Sequence, residues 1–205
     1  MDRMYQRGPR RPLRADAERT VQAILTAAER VLSAQPAATM EQIAEAAGVA
    51  RTTVHRRFAT REALVEALTA WATQQFHQAV ESARPDSTPP LVALYQVTAN
   101  ALRVKISWGF AMSRTAPENP EVARIHADVL GRCDRLFRRA RDAGVLRADA
   151  DLDWTRRVYY ALIHEAAQSR TEPAGPDDAD DVDELATRVV DTLLRGMGGP
   201  GTFAP

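Results

Sequence analysis

The chain has 205 residues, 45% hydrophobic and 26% charged, the balance of a soluble globular protein with enough length for one large or two small cores. No apolar run approaches the roughly 18 residues of a membrane span. The Arg-rich segment 1–13 has no apolar stretch behind it and does not read as a secretory signal, and one cysteine, Cys133, excludes an internal disulfide framework. A cytoplasmic protein without membrane attachment is the expectation. The net charge of zero hides an asymmetry. Ten arginines against six acids leave residues 1–60 at +4, while sixteen arginines plus Lys105 against twenty-one acids leave residues 61–205 at −4. The front of the chain suits a polyanionic partner and the back does not.

Nearly every periodic segment has helical spacing, so an all-α fold of about nine helices is predicted. The first helix covers roughly 16–33, with Val21, Ile24, Leu25, Ala28, Val31 and Leu32 as its apolar stripe. Gln35-Pro36 stops it, because the residue before proline is pushed out of helical geometry. Thr39-Met40-Glu41-Gln42 is a capping box that opens a second helix, and Gly48 ends it by taking the left-handed conformation. A third helix covers about 50–58. A fourth opens at Thr60 with Glu62 near its positive end and fades before Arg84-Pro85.

Residues 85–90, Pro-Asp-Ser-Thr-Pro-Pro, are the clearest break in the chain. Beyond it a helical pattern runs from Leu91 to about Met112. The alternation of Ile106, Trp108, Phe110 and Met112 would also allow a short strand, but a bent helix at Gly109 is preferred. Asn119 caps the next helix with Pro120 in its first turn, and Gly144 stops it. Asp151 or Asp153 starts another, with Trp154, Val158, Ala161, Leu162 and Ala166. An acidic linker from Glu172 to Asp181 leads to a last helix carrying Val182, Leu185, Val189, Leu193 and Leu194. A Gly/Pro-rich tail, read as disordered, closes the chain.

The informative stretch is 39–58, where a capped helix, a turn at Ala47-Gly48-Val49 and a second short helix make a helix-turn-helix. Ile43, Ala44, Val49, Val54 and Phe58 are apolar where the helices must pack. Arg51, Thr52, Thr53, His55, Arg56 and Arg57 remain outward on the second helix, and all can form hydrogen bonds. A helix so equipped fits a DNA major groove, with its first residues on base edges and others on phosphate. Arg51, Thr52, Thr53 and Arg56 are the expected base-facing set; Thr39, His55, Arg57 and Arg61 are the expected phosphate set. Arg3, Arg7, Arg10, Arg11 and Arg14 form a basic arm that would add a nonspecific or minor-groove contact.

Three segments together resemble the DNA-binding domain of the TetR (tetracycline-repressor-like) family: Ile24-Leu25-x-x-Ala28, then Thr39 through Ala50, then Val54-His55-Arg56-Arg57-Phe58-Ala59-Thr60-Arg61-Glu62-Ala63-Leu64. The resemblance implies a three-helix DNA-binding domain over residues 1–60 and a helical effector-binding and dimerisation domain over 61–205. It also implies a sequence-specific transcriptional regulator, most commonly a repressor released from a double-stranded operator by a small apolar effector. The run Ala143 to Asp149 and the two helices after it look like that family's approach to its dimerising helices, so a homodimer is implied. Two positions depart from the family's usual pattern: His55 stands where a phosphate-touching tyrosine is usual, and Arg61 where lysine is common.

Other chemistries find little support. His164-Glu165-Ala166-Ala167-Gln168 begins like a zinc-protease motif but lacks the second histidine, and His55, His77 and His126 are scattered. No nucleophile elbow or nucleotide-binding glycine loop is present. No catalytic residue, metal or cofactor is therefore expected. Trp108, Phe110, Met112, His126, Cys133 and Tyr159 combine apolar bulk with polar handles and are the candidate effector contacts, although residues of this kind at helical spacing are more often plain core. The alternative function is a helical binding protein for a protein or lipid partner, with no role on DNA.

Overall fold

The computed structural model describes residues 11–114, 119–169 and 179–197, with only the backbone described at 11–14, 179–180 and 197. The described residues form nine helices: α1 (Arg11–Ala34), α2 (Met40–Ala46), α3 (Arg51–Arg57), α4 (Arg61–Ser82), α5 (Pro90–Ser107), α6 (Gly109–Met112), α7 (Pro120–Asp142), α8 (Leu152–Gln168) and α9 (Ala179–Met197). None is long and apolar enough to cross a membrane. The chain divides into two compact units, Met1–Leu68 and Thr69–Pro205, and the division falls inside α4. Arg3, Arg7 and Arg10 of the basic arm, most of the acidic linker and the Gly/Pro tail lie outside the described residues, as do the side chains of Arg11 and Arg14.

In the first unit, α1 packs on α2 and α2 on α3. Ile24, Ala28 and Leu32 recur at helical spacing and are fully buried with Ile43, Val54, Leu64 and Leu68. The connection between α2 and α3 is closed by its own backbone. Gly48 has φ +65°, its N–H donates to the Glu45 carbonyl at 3.0 Å, and the Val49 N–H donates to the Ala44 carbonyl at 3.1 Å. This pair of bonds is the Schellman ending, which requires a left-handed residue and therefore favours glycine.

In the second unit, α5 packs against α7, α8 and α9, and α8 also packs on α7 and α9. Tyr159 is fully enclosed. Its ring meets Phe137 edge-on with centroids 5.3 Å apart, and its hydroxyl pairs with Thr98 at 2.9 Å. A buried hydroxyl needs such a partner, because desolvating it alone costs about 1–3 kcal/mol. Gly144, at φ +74°, ends α7 with the same Schellman pair seen at Gly48. Residues 85–90 do not divide the protein. They form a tight turn within this unit, with Arg84 left-handed at φ 46°, and α7 grips that turn from the side. Arg135 donates to Asp86 at 2.9 Å, and Arg139 donates to the carbonyls of Pro85 and Thr88.

One expectation is corrected. The helical pattern after residue 90 does not bend at Gly109. It breaks at Trp108, whose ψ of 41° takes it out of the helix, and α6 restarts as one short turn. The apolar stripe of α9 is consumed by its own subunit: Val182, Val189, Leu193 and Leu194 are all buried, and only Leu185 stays partly open. Among the described residues the most exposed large apolar side chain is Trp154 of α8, at 54%, with Leu91 and Val92 of α5 and Leu130 of α7 also exposed.

Candidate DNA-reading helix and ligand cavity

α3 shows one face to its own unit and one to solvent. Val54 is fully buried and Phe58 nearly so, which fixes the rotation of the helix. Arg51, Thr52, His55, Arg56 and Arg57 are exposed and Thr53 is half-buried. Arg56 and Arg57 form no hydrogen bond or ion pair among the described residues. Arg51 is engaged: its guanidinium meets Glu41 of α2 at 2.7 Å, and its Nε donates to Nε2 of His55 at 3.4 Å. The Glu41 carboxyl is held below the usual carboxylate range, first by a backbone hydrogen bond and then by the Thr39 hydroxyl, with lesser help from Arg51 and His55.

Thr39 is the N-cap of α2 and half of a complete capping box. Its hydroxyl accepts the Gln42 N–H at 3.3 Å, and the Gln42 side chain accepts the Thr39 N–H at 2.8 Å. Two arginines then clamp this helix from outside. Arg30 of α1 donates to the Ala46 carbonyl at 3.3 Å, where α2 leaves its last carbonyls unpaired. Arg61 donates to the Ala38 carbonyl at 3.3 Å and to the Pro36 carbonyl in the loop before α2. Part of the Arg61 fork is thus spent on holding the loop between α1 and α2.

The second unit contains a cavity of about 390 Å³, bounded by stripes of α4, α5, α7 and α8 and by Met112 of α6. Phe76 and Val80 of α4 are four residues apart. Val97, Ala101 and Lys105 of α5 repeat at the same interval, and the walls from α7 and α8 follow the same logic. Of the expected effector contacts, Met112, His126, Cys133 and Tyr159 line this space and Trp108 and Phe110 do not. Phe110 is buried, with the Arg114 guanidinium stacked 4.4 Å from its ring centroid. The break at Trp108 turns α6 so that Met112 reaches the cavity.

Lys105, Tyr160 and His164 also line the cavity, and none of them is among the effector contacts expected from the sequence. Lys105 is the only lysine in the chain, and that was the available signal: it lies one and two turns beyond Ala101 and Val97 on an otherwise apolar stripe. The Tyr160 hydroxyl is buried without a hydrogen-bond partner. Burial pushes both Tyr160 and the neighbouring Cys133 thiol above their ordinary values, although the two groups do not meet in hydrogen-bonding geometry. Among the described residues no three histidine, cysteine or carboxylate side chains come together as a metal site.

Comparison with known proteins fits this pair of sites. The sequence profile of the bacterial regulatory proteins, tetR family, matches residues 24–68, which span the last turns of α1 through the first turns of α4. The HTH-type transcriptional repressor LfrR of Mycolicibacterium smegmatis is 34% identical over 155 residues, covering 74% of this chain and 80% of that protein. This chain belongs to the TetR family. A second match is the HTH-type transcriptional regulator NfxB of Pseudomonas aeruginosa, 26% identical over 172 residues, covering 81% of this chain and 88% of that one. The crystal structure of LfrR from Mycobacterium smegmatis in complex with proflavine superposes with a TM-score of 0.64 at 28% identity, over 89% of this chain and 98% of that one. The all-helical TetR architecture and a role in transcriptional regulation therefore hold for this protein, and its relatives are regulators rather than enzymes.

Proposed function

We propose that this TetR-family regulator is a cytoplasmic, homodimeric repressor that reads its operator through α3 and leaves it when a small apolar effector fills the cavity. The observation that carries the proposal is the outer face of α3: Arg56 and Arg57 unpaired, Thr52 and Thr53 beside them, and Val54 anchoring the helix from behind. In this reading residues 1–60 carry the DNA contacts and residues 61–205 carry the effector and the dimer contacts. Arg51, Thr52, Thr53 and Arg56 face bases, while Thr39, His55 and Arg57 face phosphates. Arg61 is free to reach a phosphate only with the donors its loop carbonyls leave over.

A single helix-turn-helix covers little DNA, so two copies would place their α3 helices on half-sites about 34 Å apart, one turn of B-DNA. α8 supplies the pairing surface through Trp154, Val158, Ala161 and Leu162, with Leu185 of α9 beside them. An effector that prefers a dimer with different spacing would withdraw it from the operator by its differential affinity. The cavity supports such a site: it falls in the lower part of the roughly 300–1,000 Å³ range of ligand pockets and its wall is chiefly apolar. LfrR has been crystallised with proflavine, so a relative of this chain takes a small organic ligand.

The test is operator binding by Thr53→Ala and Arg56→Ala. Each is expected to weaken the cognate site by about 1–3 kcal/mol and to relax base preference at one position. Unchanged affinity and unchanged sequence preference in both variants would remove α3 from the base-reading role.

A further inference from the structure

The cavity has a charge character that its apolar area conceals. Fourteen residues line it, and none is an aspartate or glutamate. Among the described lining residues the only permanent charge is Lys105, half-buried on α5, which forms no hydrogen bond or ion pair with any described residue. A buried cation without a counter-charge is costly, and chains ordinarily pair it or turn it outward. Several arginines of α5, α7 and α8 are paired with acids: Arg103 with Asp183, Arg132 with Asp128, Arg135 with Asp86 and Arg156 with Asp134. Lys105 is left out of that pattern and lines the wall of the cavity. Other polar groups there are the Tyr160 hydroxyl, buried without a hydrogen-bond partner, the Cys133 thiol, the Tyr159 hydroxyl already paired with Thr98, and the rings of His126 and His164 on exposed residues.

Resting on the reading of this cavity as the effector site, we propose that its ligand is an apolar organic acid, bound as its anion with the acidic oxygens on the Lys105 ammonium. The apolar body of the ligand would lie against Val97, Ala101 and Ile163. A cationic ligand would meet a like charge with no carboxylate among the described lining residues to receive it, and a neutral one would leave the ammonium without a counter-charge from them. Burial pushes the Lys105 ammonium below its ordinary value, and an anion at its side would raise it again.

Three ten-carbon ligands that differ only in the head group test this: decanoate, decanol and decylamine, each below its micellar concentration. Affinity is measured by calorimetry on the full-length protein, and release of operator DNA is followed in parallel. Decanoate is expected to bind at least about tenfold more tightly than decanol, with decylamine weakest. Lys105→Met should bring decanoate down to the level of decanol, and Lys105→Arg should retain most of the preference. Because Lys105 is the only lysine, reductive methylation of its side chain offers a second readout, and decanoate should protect it from labelling. Failure of all three ligands to bind would overturn the inference, as would decanol or decylamine matching decanoate, or a decanoate preference that survives Lys105→Met. Decanoate that binds through Lys105 yet leaves the operator complex intact would uphold the ligand class and instead refute the effector role of the cavity.

Discussion

The two units of the chain are held by different kinds of contact. The first unit is small, and short-range backbone chemistry positions its helix-turn-helix: a capping box at Thr39, a Schellman turn at Gly48, and arginines at 30 and 61 that tie down loose carbonyls. The second unit gathers residues more than a hundred positions apart, from Val80 to Leu194, around one core that includes the Thr98–Tyr159 hydroxyl pair. The contrast bears on function. A reading helix must be held rigidly in one orientation, which caps achieve cheaply, whereas a sensor needs a large core in which one helix stripe can be left unfilled as a cavity.

The contrast is broken most severely by charging the larger core. Val189→Asp places a carboxylate where Val189 is 4% exposed, and should destabilise the protein by about 3–5 kcal/mol, read as loss of cooperative thermal unfolding. Trp154→Asp changes an exposed side chain on α8. It should leave the melting of the subunit nearly intact while shifting sedimentation from dimer to monomer; a dimer that persists in this variant would exclude α8 from the pairing surface.

In the first unit the expected effects are smaller in stability and larger on DNA. Gly48→Ala puts a side chain at φ +65° with no steric neighbour to blame, so its cost is conformational, about 1 kcal/mol. The thermal midpoint should fall slightly and operator affinity more, because α3 is tilted by the turn. Arg61→Ala separates two roles. If all its donors serve the loop carbonyls, affinity falls with an unchanged slope of log affinity against log salt; a phosphate contact would instead lower that slope by about one unit. We expect the unchanged slope. Least of all, Glu41→Gln should raise operator affinity by about two- to fivefold by freeing Arg51 and removing a negative charge beside it. The Glu41 carboxyl is lowered in the folded protein. The contact it makes is therefore complete above the ordinary carboxylate range and is lost as pH falls through its depressed value, so the gain from Glu41→Gln should disappear in acid.

What could be read in the sequence follows the same division. Thr39, Gly48, Asn119 and Gly144 act within four residues of themselves, so their roles as caps and stops were visible in the chain alone. So was the outward set on α3, because Val54 and Phe58 leave only one way to rotate a helix that short. The cavity was less legible. A stripe such as Val97, Ala101 and Lys105 reads as core until the opposite wall is known, and Trp108 looks like a pocket residue until the helix is seen to break there. The second role of Arg61 was hidden for a related reason: its partners are carbonyls twenty-three and twenty-five residues away, and carbonyls carry no sequence signal. In α9 the apolar stripe marked a buried face correctly, but periodicity does not say whether the burial is against the same subunit or another.

The central claim is that this chain grips duplex DNA through α3, and equilibrium titration with the DNA flanking its own gene tests it most directly. Wild-type protein and Arg56→Ala are compared across a series of salt concentrations, with an unrelated duplex as control. The account predicts tight binding of the flanking DNA with a steep salt dependence, a gap of about 10³-fold or more over the unrelated duplex, and a clear loss of that gap in Arg56→Ala. Binding that is absent at low salt, or that fails to distinguish the two duplexes in the wild-type protein, would contradict it.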